Sequence, residues 1–115
     1  MIRSSLDQIK KSNAASELNF INRGIEKECL RVDALGAISQ TDHPLSLGSA
    51  LTNPFITTDF SEALLELVTP TFNSAEETIS FLTALHVFVN KNLEDESLWP
   101  MSMPCLIDSD NDIRI

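Results

Sequence analysis

One stretch of this chain spaces its apolar residues like a helix, and several shorter ones alternate like strands. In NSAEETISFLTALHVFVNKNLEDE, Ile79, Leu82, His86, Val89 and Leu93 recur every three or four positions, which predicts an amphipathic helix; Phe81, Leu85 and Phe88 widen its apolar face. Ser74 followed by Glu77 is the signature of a capping box at its start, and Pro100 and Pro104 in SLWPMSMP end the helical pattern. In IEKECLRV, an extended backbone puts Glu26, Glu28, Leu30 and Val32 on one face and Ile25, Lys27, Cys29 and Arg31 on the other. DALG at 33–36 reads as a turn with Gly36 at positive φ, and AIS as a return strand, so a hairpin is predicted. QTDHPLSLGSALTNPF reads as a loop punctuated by Pro44, Gly48 and Pro54. Two further strands are predicted around Ile56–Phe60 and Ala63–Thr69, the second stopped by Pro70. Residues 1–19 read as a helical region, capped by Ser4 or Ser5, carrying Leu6 and Ile9, and running to about Ala15 or Leu18. The order helix, hairpin, strands, helix is that of an α+β protein.

Composition narrows the class. A chain of 115 residues makes one modest domain, and 43% hydrophobic with 22% charged residues is the balance of a folded protein. The net charge of −9 and pI near 4.4 argue against nucleic acid and anionic membrane surfaces as partners. No segment has the apolar length of a signal peptide or a membrane span. Two cysteines, Cys29 and Cys105, supply neither a zinc pattern nor a disulfide framework, so a reduced, cytoplasmic protein is expected. The chain closes on Ile113–Arg114–Ile115, an alternation resembling the start of a strand, and is therefore expected to be one partial domain, residues 1–115, of a longer polypeptide.

Charge placement raises the chemical question. Between Val32 and Asn90 there is no lysine or arginine, yet Asp33, Asp42, Asp59, Glu62, Glu66, Glu76 and Glu77 fall there. Each is solvated, paired with a distant cation, or paired with a metal. Glu26-x-Glu28 on a strand points two carboxylates the same way, which suits either a solvated face or a hard cation such as Mg²⁺. Glu66 sits inside the apolar run ALLELVT, on a face shared with Glu62; it belongs either to a strand with one wet face or to a site where a cation compensates it. Isolated glycines at 24, 36 and 48 exclude a P-loop. DSDND in the tail lacks the glycine and closing glutamate of a calcium loop and reads as a solvated turn. His86 reads as a core or rim histidine with one hydrogen bond, His43 as a loop residue, Cys29 as packing, and Trp99 and Phe88 as core. Cys105 sits in a loop with no basic neighbour in sequence.

RGIEKECLRV, HPLSLGSALTNPFITTDFSEALLELVTP and LWPMSMPC together resemble the N-terminal part of proteobacterial glutamate–cysteine ligases, over about residues 20–115. The resemblance implies a glutamine-synthetase-like carboxylate–amine ligase fold with a curved antiparallel sheet. It implies ATP-dependent joining of the L-glutamate γ-carboxylate to L-cysteine through γ-glutamyl phosphate, the first step of glutathione synthesis. It implies Mg²⁺ held by Glu26, Glu28, Asp59 and Glu66, with no catalytic residue separate from these ligands, and Phe60 lining the cysteine side-chain pocket. Position 29, a cysteine here, usually carries another small residue in such sequences. The family's enzymes are several hundred residues long, so the missing C-terminal remainder is expected to complete the site and this chain alone to be inactive. Two other readings are a ligase of the same superfamily with a different amine acceptor and a non-catalytic acidic module binding a metal or partner.

Overall fold

Alternation along two strands sets the architecture. A computed structural model describes residues 2–115. It contains α1 (Ile2–Lys11), β1 (Glu26–Val32), β2 (Ile56–Thr58), β3 (Leu64–Val68), α2 (Ala75–Lys91) and β4 (Ser97–Leu98), with 3-10 turns at Ala14–Phe20, Leu45–Leu47 and Asp110–Asp112. The strands form one antiparallel sheet in the order β2-β3-β1-β4, so the two longest strands are central. The α+β class is as expected.

Leu65 and Leu67 of β3 are fully buried, and they pack with Ile56, Leu47 and, from α2 and the turn after it, Leu85, Val89 and Leu93. Burying each such side chain contributes about 1.5–3 kcal/mol. Their neighbours Leu64, Glu66 and Val68 point to the other side and are only half-buried. α2 thus covers one face of the sheet. Its apolar stripe is rotated from the predicted one. Thr78, Leu85 and Val89 are buried, whereas Ile79 is 52% and Phe88 45% exposed. The stripe centres on Leu85 rather than His86 because an aliphatic side chain gains more from burial than an imidazole, which stays at the rim. Phe81 instead extends the core, meeting Phe55 edge-on with ring centroids 5.3 Å apart.

The α2 start differs in detail from a capping box. The Glu77 amide donates to Ser74 Oγ at 3.1 Å, but Ser74's hydroxyl then donates to Glu77 Oε2 at 2.9 Å, in place of the expected bond from Ser74's backbone amide. A complete capping box forms at Ser109 and Asp112, which makes the DSDND tail an ordered turn at the surface.

The predicted hairpin forms but is short, with Asp33 N donating to Ala37 O and Ser39 N to Arg31 O, both at 2.9 Å. Gly36 has φ 80°, and Asp33 Oδ1 accepts from the amides of Leu35 and Ala37. The return segment makes only a bridge between Val32 and Ile38, because Ile38 bonds to Leu106 and is buried in a second cluster with Val32, Ala63 and Cys105. β4, absent from the sequence reading, pairs with the other edge of β1, with Arg31 opposite Leu98. Trp99 is half-buried beside that cluster, its Nε1 donating to Met103 O at 2.7 Å. Residues 113–115 form no strand: Ile113 packs into the cluster, and Arg114 bonds to Asp42 at 2.6 Å. α1 starts before both serines proposed as caps and stops at Lys11, followed by Asn13 at φ 56° in the left-handed region that breaks a helix; it buries no residue.

Arg31 is the one fully buried ionic side chain among the described residues. It lies 2.8 Å from Glu96 Oε2 and donates to Thr41 Oγ1, Thr41 O and Glu62 O. Burial alone would raise the Glu96 carboxyl, but hydrogen bonds from Ser39, Thr41 and Arg31 and the charge of Arg31 outweigh it and lower the pKa. A depressed carboxylate stabilises the fold above its unfolded pKa of about 4.3 and loses that contribution as pH falls through its folded value. Glu96→Gln should therefore destabilise the chain at pH 7 by about 3–5 kcal/mol, as expected for a stranded buried charge, and flatten the acid limb of a stability–pH profile measured by urea unfolding. An unchanged midpoint at pH 7 would show that the ion pair does not hold the fold.

Candidate metal-binding face of the sheet

The face of the sheet away from α2 carries the acidic residues singled out above. Glu28 of β1 lies directly opposite Glu66 of β3, and Glu66 lies opposite Thr57 of β2. Glu26 is two residues from Glu28 and shares its face. Asp59 follows β2, where its amide continues the ladder by donating to Leu64 O at 3.0 Å. The approach to β1 is tight: a Cβ on Gly24 would meet Thr69 O at 3.3 Å, while Ile25 and Thr69 exchange bonds of 2.9 Å that lock β1 to the end of β3. All four proposed ligands therefore lie on β1, on β3 and just past the end of β2, on one face.

Electrostatics support grouping them. The Glu66 pKa is raised, first by burial and then by the charges of Glu26, Asp59 and Glu28. No hydrogen bond or ion pair engages any of these four carboxylates among the described residues. Other acids in the chain find partners. Asp42 pairs with Arg114, Asp33 caps its turn, and Glu62 accepts from the His43 amide at 2.6 Å. Glu62 is thus held away from the group, in keeping with its omission from the proposed ligands.

An all-oxygen carboxylate set suits a hard divalent cation such as Mg²⁺. Convergence is not preformed: no three acidic, histidine or cysteine groups among the described residues stand close enough to hold an ion. Like charges repel across strands when nothing positive lies between them, which keeps such side chains apart.

Phe60 lies next to this face. It is 63% exposed and lines an open, apolar pocket of about 430 Å³ with Leu30, Leu64, Met101 and Met103. Leu30 and Leu64 are paired and sit one step along the strands from Glu28 and Glu66, so pocket and carboxylates share one surface.

The remaining candidates resolve as follows. Cys29 is buried on the α2 side, as expected, and burial raises its thiol pKa despite nearby Lys27. Cys105 is buried too, and burial raises its pKa, which leaves it a packing residue. His86 makes one contact, accepting from the Lys27 ammonium at 2.9 Å. That pair and the Arg31–Glu96 pair were not legible in the sequence. Lys27 and Arg31 could be placed on the α2-facing side by alternation, but nothing local names a partner 59 or 65 residues away.

Among the described residues, no helix is long and apolar enough to cross a membrane. The family model for glutamate–cysteine ligase matches residues 6–115. A glutamate–cysteine ligase of Wigglesworthia glossinidia brevipalpis is 58% identical over 93 residues, covering 81% of this chain and 18% of the relative. One from Alcanivorax borkumensis is 51% identical over 104 residues, covering 90% of this chain and 20% of the relative. Among solved structures, the Francisella tularensis glutamate–cysteine ligase in complex with AMP superposes with a TM-score of 0.76 at 46% identity, covering 80% of this chain and 18% of that one. A bifunctional glutathione synthetase from Pasteurella multocida superposes with a TM-score of 0.81 at 39% identity, covering 92% of this chain and 15% of that one. The chain spans about a fifth of the length of the curated relatives it matches. With its residues matched almost from end to end, the chain belongs to the glutamate–cysteine ligase family.

Proposed function

We propose that this chain supplies the magnesium-binding face of an ATP-dependent glutamate–cysteine ligase. In that reaction the γ-carboxylate of L-glutamate is phosphorylated by ATP, and the amine of L-cysteine then displaces phosphate to give γ-glutamylcysteine, the first step of glutathione synthesis. The observation that carries the reading is the unpaired set of four carboxylates on one sheet face, in a family whose Francisella member is solved with AMP. Glu26, Glu28, Asp59 and Glu66 would hold Mg²⁺. Bound there, the metal would neutralise phosphate charge and stabilise charge building up on the transferred phosphoryl group.

The chain's own residues do the positioning. Backbone ladders fix Glu28 against Glu66, so donors on two strands keep one spacing throughout turnover. Phe60, with Leu30 and Leu64 behind it, offers an apolar surface suited to the cysteine side chain beside the phosphate site. The reading assigns the remaining glutamate and nucleotide contacts to further polypeptide and predicts no ligation by these 115 residues alone. It places the reaction in the cytoplasm, in keeping with two unbridged thiols.

A raised carboxylate pKa carries a definite sign. Glu66 destabilises the metal-free fold above its folded pKa and not below its unfolded value of about 4.3. Glu66→Gln should therefore raise the thermal midpoint of the metal-free chain at pH 7 and leave it unchanged near pH 3. The same substitution should weaken Mn²⁺ binding, followed by the EPR signal of the free ion, by about tenfold or more. Unaltered Mn²⁺ affinity would remove Glu66 from the site.

In a ligase of full family length carrying this segment, Glu66→Gln should abolish Mg²⁺-dependent γ-glutamylcysteine formation. Cys29→Ser, on the far side of the sheet, should change kcat little. Turnover with other amines as fast as with L-cysteine would overturn the acceptor assignment.

A further inference from the structure

A second polar cluster lies on the opposite side of the sheet. Lys27 alternates with Glu26 and Glu28 and so faces α2. Its ammonium donates to His86 Nε2 at 2.9 Å. An ammonium has three N–H donors, so two remain. Burial and the Lys27 charge lower the His86 pKa, which keeps the imidazole neutral and accepting.

Lys27 and His86 line a cavity of about 370 Å³ between α2 and the segment after it. Asn90 and Ser97 add polar groups, while Leu98 and Pro100 form an apolar wall; Trp99 borders the cavity, its indole packed against the Val32 cluster. Among the described residues no carboxylate pairs with Lys27; the ion pairs are Arg31–Glu96 and Arg114–Asp42. Glu96 also borders the cavity, but its oxygens are taken by Arg31, Ser39 and Thr41. The cavity thus holds a half-buried cation with no counter-charge, beside an apolar wall. Its size is within the range of small-molecule sites.

We propose that this cavity binds a small organic carboxylate, its charged end on Lys27 and its carbon body against Leu98 and Pro100. A single ammonium is a point charge satisfied by one carboxylate, and the apolar wall favours a ligand with a hydrocarbon part over a bare inorganic anion. The site is separated by the sheet from the carboxylate face and does not depend on the ligase reading.

Trp99 is the chain's single tryptophan and lines the cavity, so its emission reports on occupancy. The chain would be titrated with cyclohexanecarboxylate, with the neutral cyclohexanecarboxamide and with inorganic phosphate. The expected result is a saturable change in emission with the carboxylate, at an affinity about tenfold or more above that for either of the other two. No saturable response, or an equal response to the amide, would overturn the proposal; equal affinity for phosphate would overturn the carboxylate assignment. Lys27→Gln should weaken carboxylate binding by about tenfold and Lys27→Arg by much less. Should Lys27→Gln fail to fold, Asn90→Leu, an exposed α2 position, replaces a polar wall group with a bulky apolar one and should weaken binding similarly; unchanged affinity in it would count against the site.

Discussion

The pairing of Glu28 with Glu66 across the two central strands is the constraint on which the other features depend. In the same register Cys29 meets Leu65 and Lys27 meets Leu67, so one face is apolar enough to take α2 and the other is acidic. A slip of one residue would reverse every side chain of a strand, sending Leu65 and Leu67 to water and Glu66 against the helix. The hydrophobic gain from the two leucines, and the cost of burying a carboxylate, therefore select the register that places two glutamates opposite each other. Cross-strand repulsion between them is a consequence of satisfying the core.

That repulsion is tolerated because stability comes from elsewhere. The core under α2 and the buried Arg31–Glu96 pair bind four separate parts of the chain together: β1, the loop at Ser39 and Thr41, the backbone of Glu62, and the turn after α2. Arg31 uses the α2-facing side of the same strand whose opposite side holds Glu26 and Glu28. The Arg31–Glu96 charges are thus paired where they are buried, whereas the four carboxylates on the other face have no pair among the described residues.

β1 separates two chemically opposite environments only by alternation. Among the described residues, Glu26 and Glu28 make no ion pair on one face, and Lys27 makes none in the cavity on the other. Covalent adjacency keeps the two close, while the sheet keeps their side chains from neutralising each other.

Sequence alone determined what depends on local geometry. Period-two alternation put Glu26 with Glu28 and Cys29 with Lys27 on opposite faces, the absence of basic residues from Val32 to Asn90 left Asp59 and Glu66 without a local cation, and Ser74 located the start of α2. Long, unusual motifs carried the family. The tertiary structure decided what depends on which distant segments meet. It set which stripe of α2 is buried, since several apolar residues surround that helix and only the sheet selects among them. It held the expected return strand to a single bridge, because Ile38 packs beside Val32 and Cys105 and bonds to Leu106, and it added β4 on the other edge of β1. It also brought Glu96 to Arg31 and His86 to Lys27, pairings that no local pattern encodes, because a buried ion pair or hydrogen bond is specified by where the chain returns in space.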